Sequence, residues 1–244
     1  MGQNSQTILI TGAAKRLGKF LAVSFAQIGY NIALHYNSSK QEAIEAQKLI
    51  QSKEVKCQIF QADLQSVKNC QKLITEVKDY FGTIDILINN SSVFIEGNFQ
   101  DTTEEIFDEN FNVNYKSIFF LSQAFAKNNS GNIINILDTK INKKLKRFFT
   151  YINSKKALYQ LNQDLALDLA PNIRVYAIAP CIFLPSHDFD EQYIAKRVKA
   201  TPLNRYTKME DIFKTAEFFI KNDFLTGQII YVDGGENLVI LTNK

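Results

Sequence analysis

Residues 7–18 read Thr-Ile-Leu-Ile-Thr-Gly-Ala-Ala-Lys-Arg-Leu-Gly and join a short apolar run to a helical pattern. The run is typical of a buried parallel strand, and the apolar residues that follow it recur with helical spacing. Gly12 permits a tight turn between the two elements, and the amino end of the helix offers free N–H groups to a phosphate. A phosphate-binding turn is therefore one interpretation. The other is a plain strand–helix turn with a surface arginine, Arg16.

The rest of the chain repeats this alternation of strand and helix. Predicted strands cover residues 7–11, 31–36, 55–61, 84–90, 132–137, 173–179 and 228–232. Predicted helices cover residues 17–28, 41–53, 66–80, 151–169 and 208–219, and one or two helices cover residues 103–127. Such alternation favours right-handed βαβ units and a parallel sheet covered on both faces. We predict an α/β fold with one domain over residues 1–244, a doubly wound Rossmann-type domain with a seven-stranded parallel sheet, in which residues 182–202 form a substrate lid.

The composition argues against several classes of protein. The 244 residues are 45% hydrophobic and 22% charged with a net charge of +3, which fits a globular domain and does not indicate nucleic-acid binding. Three scattered cysteines and two histidines indicate neither a disulfide framework nor a metal site. No apolar run approaches the roughly 20 residues of a membrane span, and the first strand begins too early for a signal peptide. We expect a cytoplasmic protein with reduced thiols and no membrane partner.

The segment after the second predicted strand bears on the choice of cofactor. Proteins that bind a free ribose 2′-hydroxyl carry an acid about 20 residues after the first glycine turn. Here the next acid after the turn is Glu42, and the segment carries His35, hydroxyl groups and Lys40 instead. These groups and Arg16 could bind a 2′-phosphate that a carboxylate would repel. The sequence thus predicts NADP(H), with a polar loop of no cofactor preference as the alternative.

Tyr151 and Lys155 stand four residues apart at the start of a helical pattern. Side chains at this spacing share a helical face, so the Lys155 ammonium is expected to lower the pKa of the Tyr151 phenol from about 10 and make it a usable general acid. Asp138 follows the fifth predicted strand, at the sheet edge where α/β proteins bind ligands. It is interpreted either as a functional carboxyl or as a structural cap of the strand end.

Five motifs occur together in one order: the TGxxxxxG turn, Asn89-Asn90, the helical Asn114, YxxxK, and a terminal TGQ followed by VDGG. Over nearly the whole chain they resemble the short-chain dehydrogenase/reductase family. Within it, the chain is similar to the pteridine reductases, including the bacterial dihydromonapterin reductases. The residues that carry this closer likeness are those at 11–18, His35-Tyr36, those at 90–94, and Asp138 in place of the usual catalytic serine.

The resemblance implies NADPH-dependent reduction of a pteridine, such as dihydromonapterin, dihydrobiopterin or dihydrofolate, by hydride transfer with proton donation from a tyrosine. The implied catalytic residues are Asp138, Tyr151, Lys155 and Asn114. The implied cofactor-binding residues are Gly12, Arg16, Leu17, Gly18, His35, Tyr36, Asn37, Ser38, Asp63, Leu64, Asn90, Ser91, Tyr151, Lys155 and Pro180. The implied substrate-binding residues are Arg16, Ser92, Phe94, Asp138 and Tyr151. A homotetramer is implied as well, with helices near 104–120 and 151–169 between the subunits.

The chemistry of Asp138 favours a pterin over a ketone. Hydride addition to a C=N bond leaves a nitrogen that needs a proton, which Tyr151 or an Asp138-bound water can supply. A carboxyl can pair with the amino and amide edge of a pterin, whereas a serine suffices for a ketone oxygen. Two alternatives remain: a carbonyl reductase of the same family acting on 3-oxoacyl or sugar ketones, and a non-catalytic NADP(H)-sensing module.

Several residues stay open to two interpretations. Phe94 could stack on a pterin or be a core aromatic residue. Residues 140–147 carry five cations, which could attract an anionic substrate tail or form a solvated loop. Pro180-Cys181 replaces the Pro-Gly common in the family, and Ser91 replaces an alanine, so the particular pterin stays open.

Overall fold

A parallel sheet of seven strands forms the centre of the molecule. The computed structural model describes residues 6–127, 129–181 and 201–239, together with residues 192, 195, 198 and 199. The strands are β1 Thr7–Ile10, β2 Asn31–Tyr36, β3 Cys57–Gln61, β4 Ile86–Asn89, β5 Gly131–Ile136, β6 Ile173–Pro180 and β7 Ile229–Val232. The helices are α1 Arg16–Gln27, α2 Lys40–Gln51, α3 Val67–Phe81, α4 Glu104–Phe111, α5 Ser117–Ala126, α6 Phe149–Asp168 and α7 Met209–Lys221.

The order of the strands places the ligand-binding edge. The sheet reads β3-β2-β1-β4-β5-β6-β7, and every pairing is parallel. The direction of winding therefore reverses between β1 and β4, and a crevice opens outside their carboxyl ends. The predicted doubly wound Rossmann-type fold is confirmed, whereas most of the predicted lid at 182–202 lies outside the described residues.

Alternate residues of each strand face opposite layers of helices, which explains the continuous apolar runs. In β1, Ile8 and Ile10 pack in one buried cluster with Phe25 of α1, while Leu9 packs in another with Phe125 of α5. Burying one such aliphatic side chain stabilises the fold by about 1.5–3 kcal/mol. Both faces of the sheet are thus closed, and only its edges and strand ends are left for chemistry.

The segment 103–127, predicted as one or two helices, forms two in the structure. α4 ends at Phe111, a π-helical turn covers Asn112–Lys116, and α5 follows at Ser117. A π-helical turn inserts one residue and changes the direction of the side chains around it, and such turns recur at functional sites. Here the turn carries Asn114, whose buried side chain bonds to another loop of the site. The division is a long-range effect that helical periodicity does not report.

Candidate active site

A cavity of about 520 Å³ lies at the carboxyl edge of the sheet. Its lining comes from the β1–α1 turn, from the segments after β2 to β6, and from α6. The predicted residues that line it are Gly12, Arg16, Leu17, Gly18, His35, Asn37, Asp63, Leu64, Asn90, Ser91, Ser92, Phe94, Asp138, Tyr151, Lys155 and Pro180. Folding thus brings together residues from positions 12 to 180 in one concave space, which is the usual form of a small-molecule site.

Three predicted catalytic side chains meet on one wall of this cavity. The Tyr151 hydroxyl donates a hydrogen bond of 2.8 Å to Asp138 Oδ2, and the backbone N–H of Lys140 donates one of 2.8 Å to Oδ1. The Lys155 ammonium donates to the carbonyl oxygen of Ile136 at 2.9 Å. Because Tyr151 and Lys155 lie on the same face of α6, the helix presents both to the end of β5.

The pKa values of this group differ from the expectation. Burial, and then the Asp138 carboxylate that accepts the phenol proton, raise the pKa of Tyr151 well above its ordinary value. Burial lowers the pKa of Lys155 to about 8, against the opposing effect of Asp138. The prediction that Lys155 lowers the pKa of Tyr151 is therefore wrong for this arrangement, because a buried phenolate beside a carboxylate is unfavourable. Tyr151 instead keeps its proton and donates it in the hydrogen bond to Asp138 Oδ2.

Asn114 is a positioning residue and does not line the cavity. Its Oδ1 accepts hydrogen bonds of 2.9 Å from the Ser92 hydroxyl and from Val93 N–H. Its Nδ2 donates to Val93 O at 3.0 Å and to Ser154 Oγ at 3.1 Å. Asn114 thereby ties the loop after β4 to α6, which fits its expected role of holding the helix, and its assignment among the catalytic residues stays a prediction.

The β1–α1 turn has the features of an anion site. Gly12 adopts a φ of +63°, and a Cβ on Gly18 would lie 2.3 Å from the carbonyl oxygen of Gly12, so neither tolerates a larger residue. Arg16 stands where the usual fingerprint has its middle glycine and adopts a left-handed φ of +50°. Among the described residues, α1 has no side-chain cap at Lys15 and no acid in its first turn. Its amino end is therefore suited to a phosphate.

His35 supports this turn and does not offer a charge. Its Nδ1 accepts the Gly12 N–H at 3.1 Å, and its Nε2 lies 3.0 Å from Ala62 O, which assigns the proton to Nε2. The ring is buried, and burial lowers its pKa to about 4. The expectation that His35 helps to bind a 2′-phosphate is therefore corrected, because the ring is neutral and both nitrogens are engaged.

Two further predicted cofactor residues do not line the cavity. Tyr36 is buried in the core between the sheet and its helices, and Ser38 is exposed beyond the cavity wall. Conversely, Lys15 and Cys181 are two of the nine lining residues that were not among the predicted site residues. Lys15 precedes Arg16 and Cys181 follows Pro180, so their places next to predicted residues could have indicated them. Lys15 also forms a surface ion pair with Glu42 at 2.5 Å.

Phe94 belongs to the cavity wall and not to the core. Its ring stacks on Phe148 with centroids 4.0 Å apart and planes at 19°, and it meets Tyr151 edge to face at 4.6 Å. Its side chain keeps 47% exposure. The functional interpretation of Phe94 is therefore favoured over the core one, since a flat ligand beside Tyr151 would meet an aromatic surface.

The five cations of residues 140–147 have different surroundings. Lys140 lines the cavity, whereas the Lys143 ammonium donates to Glu236 O at 2.7 Å. Arg147 pairs with Glu96, and Lys144 is exposed. Only Lys140 of this set is placed to meet a ligand in the cavity, so the loop does not act as one uniform basic patch.

The described residues contain neither a candidate metal site nor a candidate membrane span. In the ranges 6–127, 129–181 and 201–239, no group of three or more His, Cys, Asp or Glu side chains could hold a metal ion. Within the same part of the chain, none of the helices has the length and apolar content needed to span a bilayer.

Comparison with known proteins gives consistent matches over the whole site. The family described as enoyl-(acyl carrier protein) reductase matches residues 12–237. An uncharacterized oxidoreductase of Thermotoga maritima is 30% identical, covering 98% of this chain and 100% of that one. The 3-oxoacyl-[acyl-carrier-protein] reductase FabG of Staphylococcus epidermidis is 28% identical, covering 95% and 98%. The structure of FolM alternative dihydrofolate reductase 1 from Brucella canis, complexed with NADP, superposes with a TM-score of 0.92 at 32% identity, covering 97% and 96%.

Proposed function

The chain belongs to the short-chain dehydrogenase/reductase family of oxidoreductases, and we propose that it reduces dihydropterins to their tetrahydro forms with NADPH. Dihydromonapterin, dihydrobiopterin and dihydrofolate are the candidate substrates. The observation that carries the proposal is the Asp138 carboxylate bonded to the Tyr151 hydroxyl beside the exposed ring of Phe94. A carboxyl and an aromatic face suit the amino–amide edge and the flat ring of a pterin.

The residues of the β1–α1 turn fit NADP(H). The uncapped amino end of α1 would hold the pyrophosphate, and Lys15 and Arg16 would hold the 2′-phosphate. Asp63 and Leu64 would contact the adenine, and Lys155 the nicotinamide ribose. The Brucella canis FolM structure contains NADP, which supports this assignment. When bound, the cofactor supplies the hydride.

Proton delivery follows from the contacts of Tyr151. Tyr151 is protonated in the free protein, where burial and Asp138 raise its pKa, and its hydroxyl would give that proton to the nitrogen of a reduced C=N bond. Asp138 Oδ2 accepts that hydroxyl in the free protein, and the Lys140 N–H holds the other carboxylate oxygen in place. Asp138 can therefore orient the pterin amino group. After Tyr151 has given up its proton, a proton from solvent water would reach the Tyr151 oxygen along Asp138.

A ketone reductase of the same family is the second candidate, and the FabG relatives favour it. We would follow NADPH oxidation with dihydromonapterin, dihydrobiopterin, dihydrofolate and an acetoacetyl thioester, using the wild type and Asp138→Ser. The proposal predicts pterin turnover that falls by about 10²–10⁴-fold in the variant, the usual contribution of a positioned acid or base. Thioester turnover with silent pterins would establish the ketone reductase instead. Binding of NADPH without turnover of any substrate would indicate the sensing module.

We also propose that the protein assembles as a homotetramer. Phe99, Phe107 and Phe149 are exposed around an apolar groove of about 390 Å³ between α4 and the start of α6. Exposed aromatic patches of this kind mark interfaces. Light scattering should give about four times the 27.8 kDa chain mass, and Phe107→Glu should lower it. A wild-type mass equal to one chain would refute the assembly.

A further inference from the structure

A short backbone bridge holds the aromatic wall, formed by Phe94 of the cavity lining and by Phe148 stacked on it, against the start of α6. Gly97 pairs in parallel with Phe148 as an isolated bridge. The Gly97 N–H donates to Arg147 O at 2.9 Å, and the Phe149 N–H donates to Gly97 O at 2.9 Å. Because Phe148 directly precedes α6, this bridge sets the position of the wall relative to Tyr151, three residues further along.

An ion pair closes the same bridge from its solvent side. Arg147 donates from Nε to Glu96 Oε1 and from Nη2 to Oε2, the second bond at 2.8 Å. A two-pronged arginine–carboxylate contact fixes the orientation of both side chains as well as their distance. The Arg147 guanidinium carbon also lies 5.8 Å from the centre of the Phe148 ring. Arg147 lowers the pKa of Glu96, so the carboxylate stays charged at neutral pH.

The contacts of Phe94 show what this pair can control. One face of its ring stacks on Phe148, Tyr151 meets it edge to face, and nearly half of the side chain faces open space. Among the described residues, the aromatic rings that contact the Phe94 ring are those of Phe148 and Tyr151. Because the backbone bridge joins residue 97 to residues 147–149, the alignment of the two segments bears on how Phe94 is presented to a ligand.

We propose that Glu96 and Arg147 are positioning residues that hold Phe94 in place and so set the affinity for a flat heteroaromatic substrate. This inference rests on the proposed function, in which a dihydropterin stacks on Phe94. The chain offers a matched control in the pair Glu217–Lys221, joined at 2.6 Å on the surface of α7, where neither residue lines the cavity. An ordinary exposed ion pair would behave like this control.

The first experiment compares KM and kcat for dihydromonapterin. Glu96→Gln should raise KM about two- to fivefold, the range set by the strength of exposed ion pairs, while kcat stays within about twofold. Glu217→Gln should leave both unchanged. In a Phe94→Ala background, Glu96→Gln should have no further effect, because the ring it positions is gone. The exchange of charges, Glu96→Arg with Arg147→Glu, should recover part of the lost affinity.

A second measurement reports the ring directly and needs no turnover. The sequence contains no tryptophan, so Phe94→Trp provides a single tryptophan in the wall, which can be excited at wavelengths that the tyrosines do not absorb. Adding Glu96→Gln should lower the fluorescence anisotropy of this tryptophan, whereas adding Glu217→Gln should not. Equal anisotropy of the Glu96→Gln and Glu217→Gln variants of Phe94→Trp, or an unchanged KM in Glu96→Gln, would overturn the positioning role. A wild type that leaves dihydropterins unreduced would overturn the proposed function, and the anisotropy would then decide the positioning role separately.

Discussion

Acidification should destabilise this protein through His35, a buried residue that supports the β1–α1 turn. In the folded chain, the ring is neutral because its Nδ1 accepts the Gly12 N–H and its surroundings exclude water. A proton on Nδ1 would face that N–H and remove the acceptor that orients the β1–α1 turn. Burial accordingly lowers the pKa of His35 from 6.5 to about 4.

The magnitude follows from proton linkage. Below pH 6.5 His35 is protonated in the unfolded chain, whereas in the folded chain it is protonated only below about pH 4. The free energy of unfolding therefore falls as the pH is lowered through this window. Each pKa unit is worth about 1.4 kcal/mol. The loss should be about 2 kcal/mol at pH 5 and about 3 kcal/mol below pH 4, and it should be absent above pH 7.

Urea unfolding of the wild type and His35→Asn, from about pH 8 to about pH 4.5, measures this effect. Asparagine can keep an acceptor near the Gly12 N–H but does not titrate, and it leaves Ala62 O without its partner at every pH, at a cost of about 1–3 kcal/mol. The variant should therefore start less stable, and the gap should close by about 2 kcal/mol toward pH 5. Parallel curves would refute the buried, neutral His35. Carboxylates titrate in both proteins and cancel in the difference.

Three further predictions test the cavity. Arg16→Gly should relieve about 1–2 kcal/mol of left-handed backbone strain and raise the KM for NADPH but not for NADH. Arg16→Ala should lose the charge without relieving the strain. A loss of stability in Arg16→Gly would contradict this prediction. The lowered pKa of Lys155 means that its ammonium is lost as pH rises through about 8, so kcat/KM should fall there, and a flat profile beyond pH 9 would exclude the role. Lys140→Gln should raise the KM for dihydrofolate about two- to fivefold but not for dihydromonapterin; Lys144→Gln is the matched control, and equal effects of the two variants would refute the assignment.

A large part of the fold could be predicted from local sequence patterns. The alternation of apolar strands and amphipathic helices depends on side-chain periods of 2 and 3.6 residues, so strand and helix positions are readable to within a few residues. The place of Asp138 at the end of β5 follows from the same pattern. The positions of Tyr151 and Lys155 on one face of α6 follow from helix geometry alone. The edge of the sheet that holds the site was predictable for this reason.

Long-range packing decided what these residues can do chemically. The sequence spacing of Tyr151 and Lys155 indicated a lowered phenol pKa, but burial and the Asp138 carboxylate raise it. His35 looked like a phosphate ligand and lies inside, between Gly12 and Ala62. In each case the pKa depends on desolvation and on partners distant in the chain, which no local spacing reports.

The sequence by itself therefore determined the α/β architecture, the site edge and the identities of its reactive groups, because these follow from periodicity and from motifs within one strand–helix unit. Only the tertiary structure decided that Phe94 stands open on the cavity wall, that Asn114 braces α6, and that Glu96 meets Arg147. Those arrangements join residues 40 or more positions apart. They exist because the closed sheet brings loops from different βα units to one edge, where solvent exclusion and direct contact fix charge and orientation.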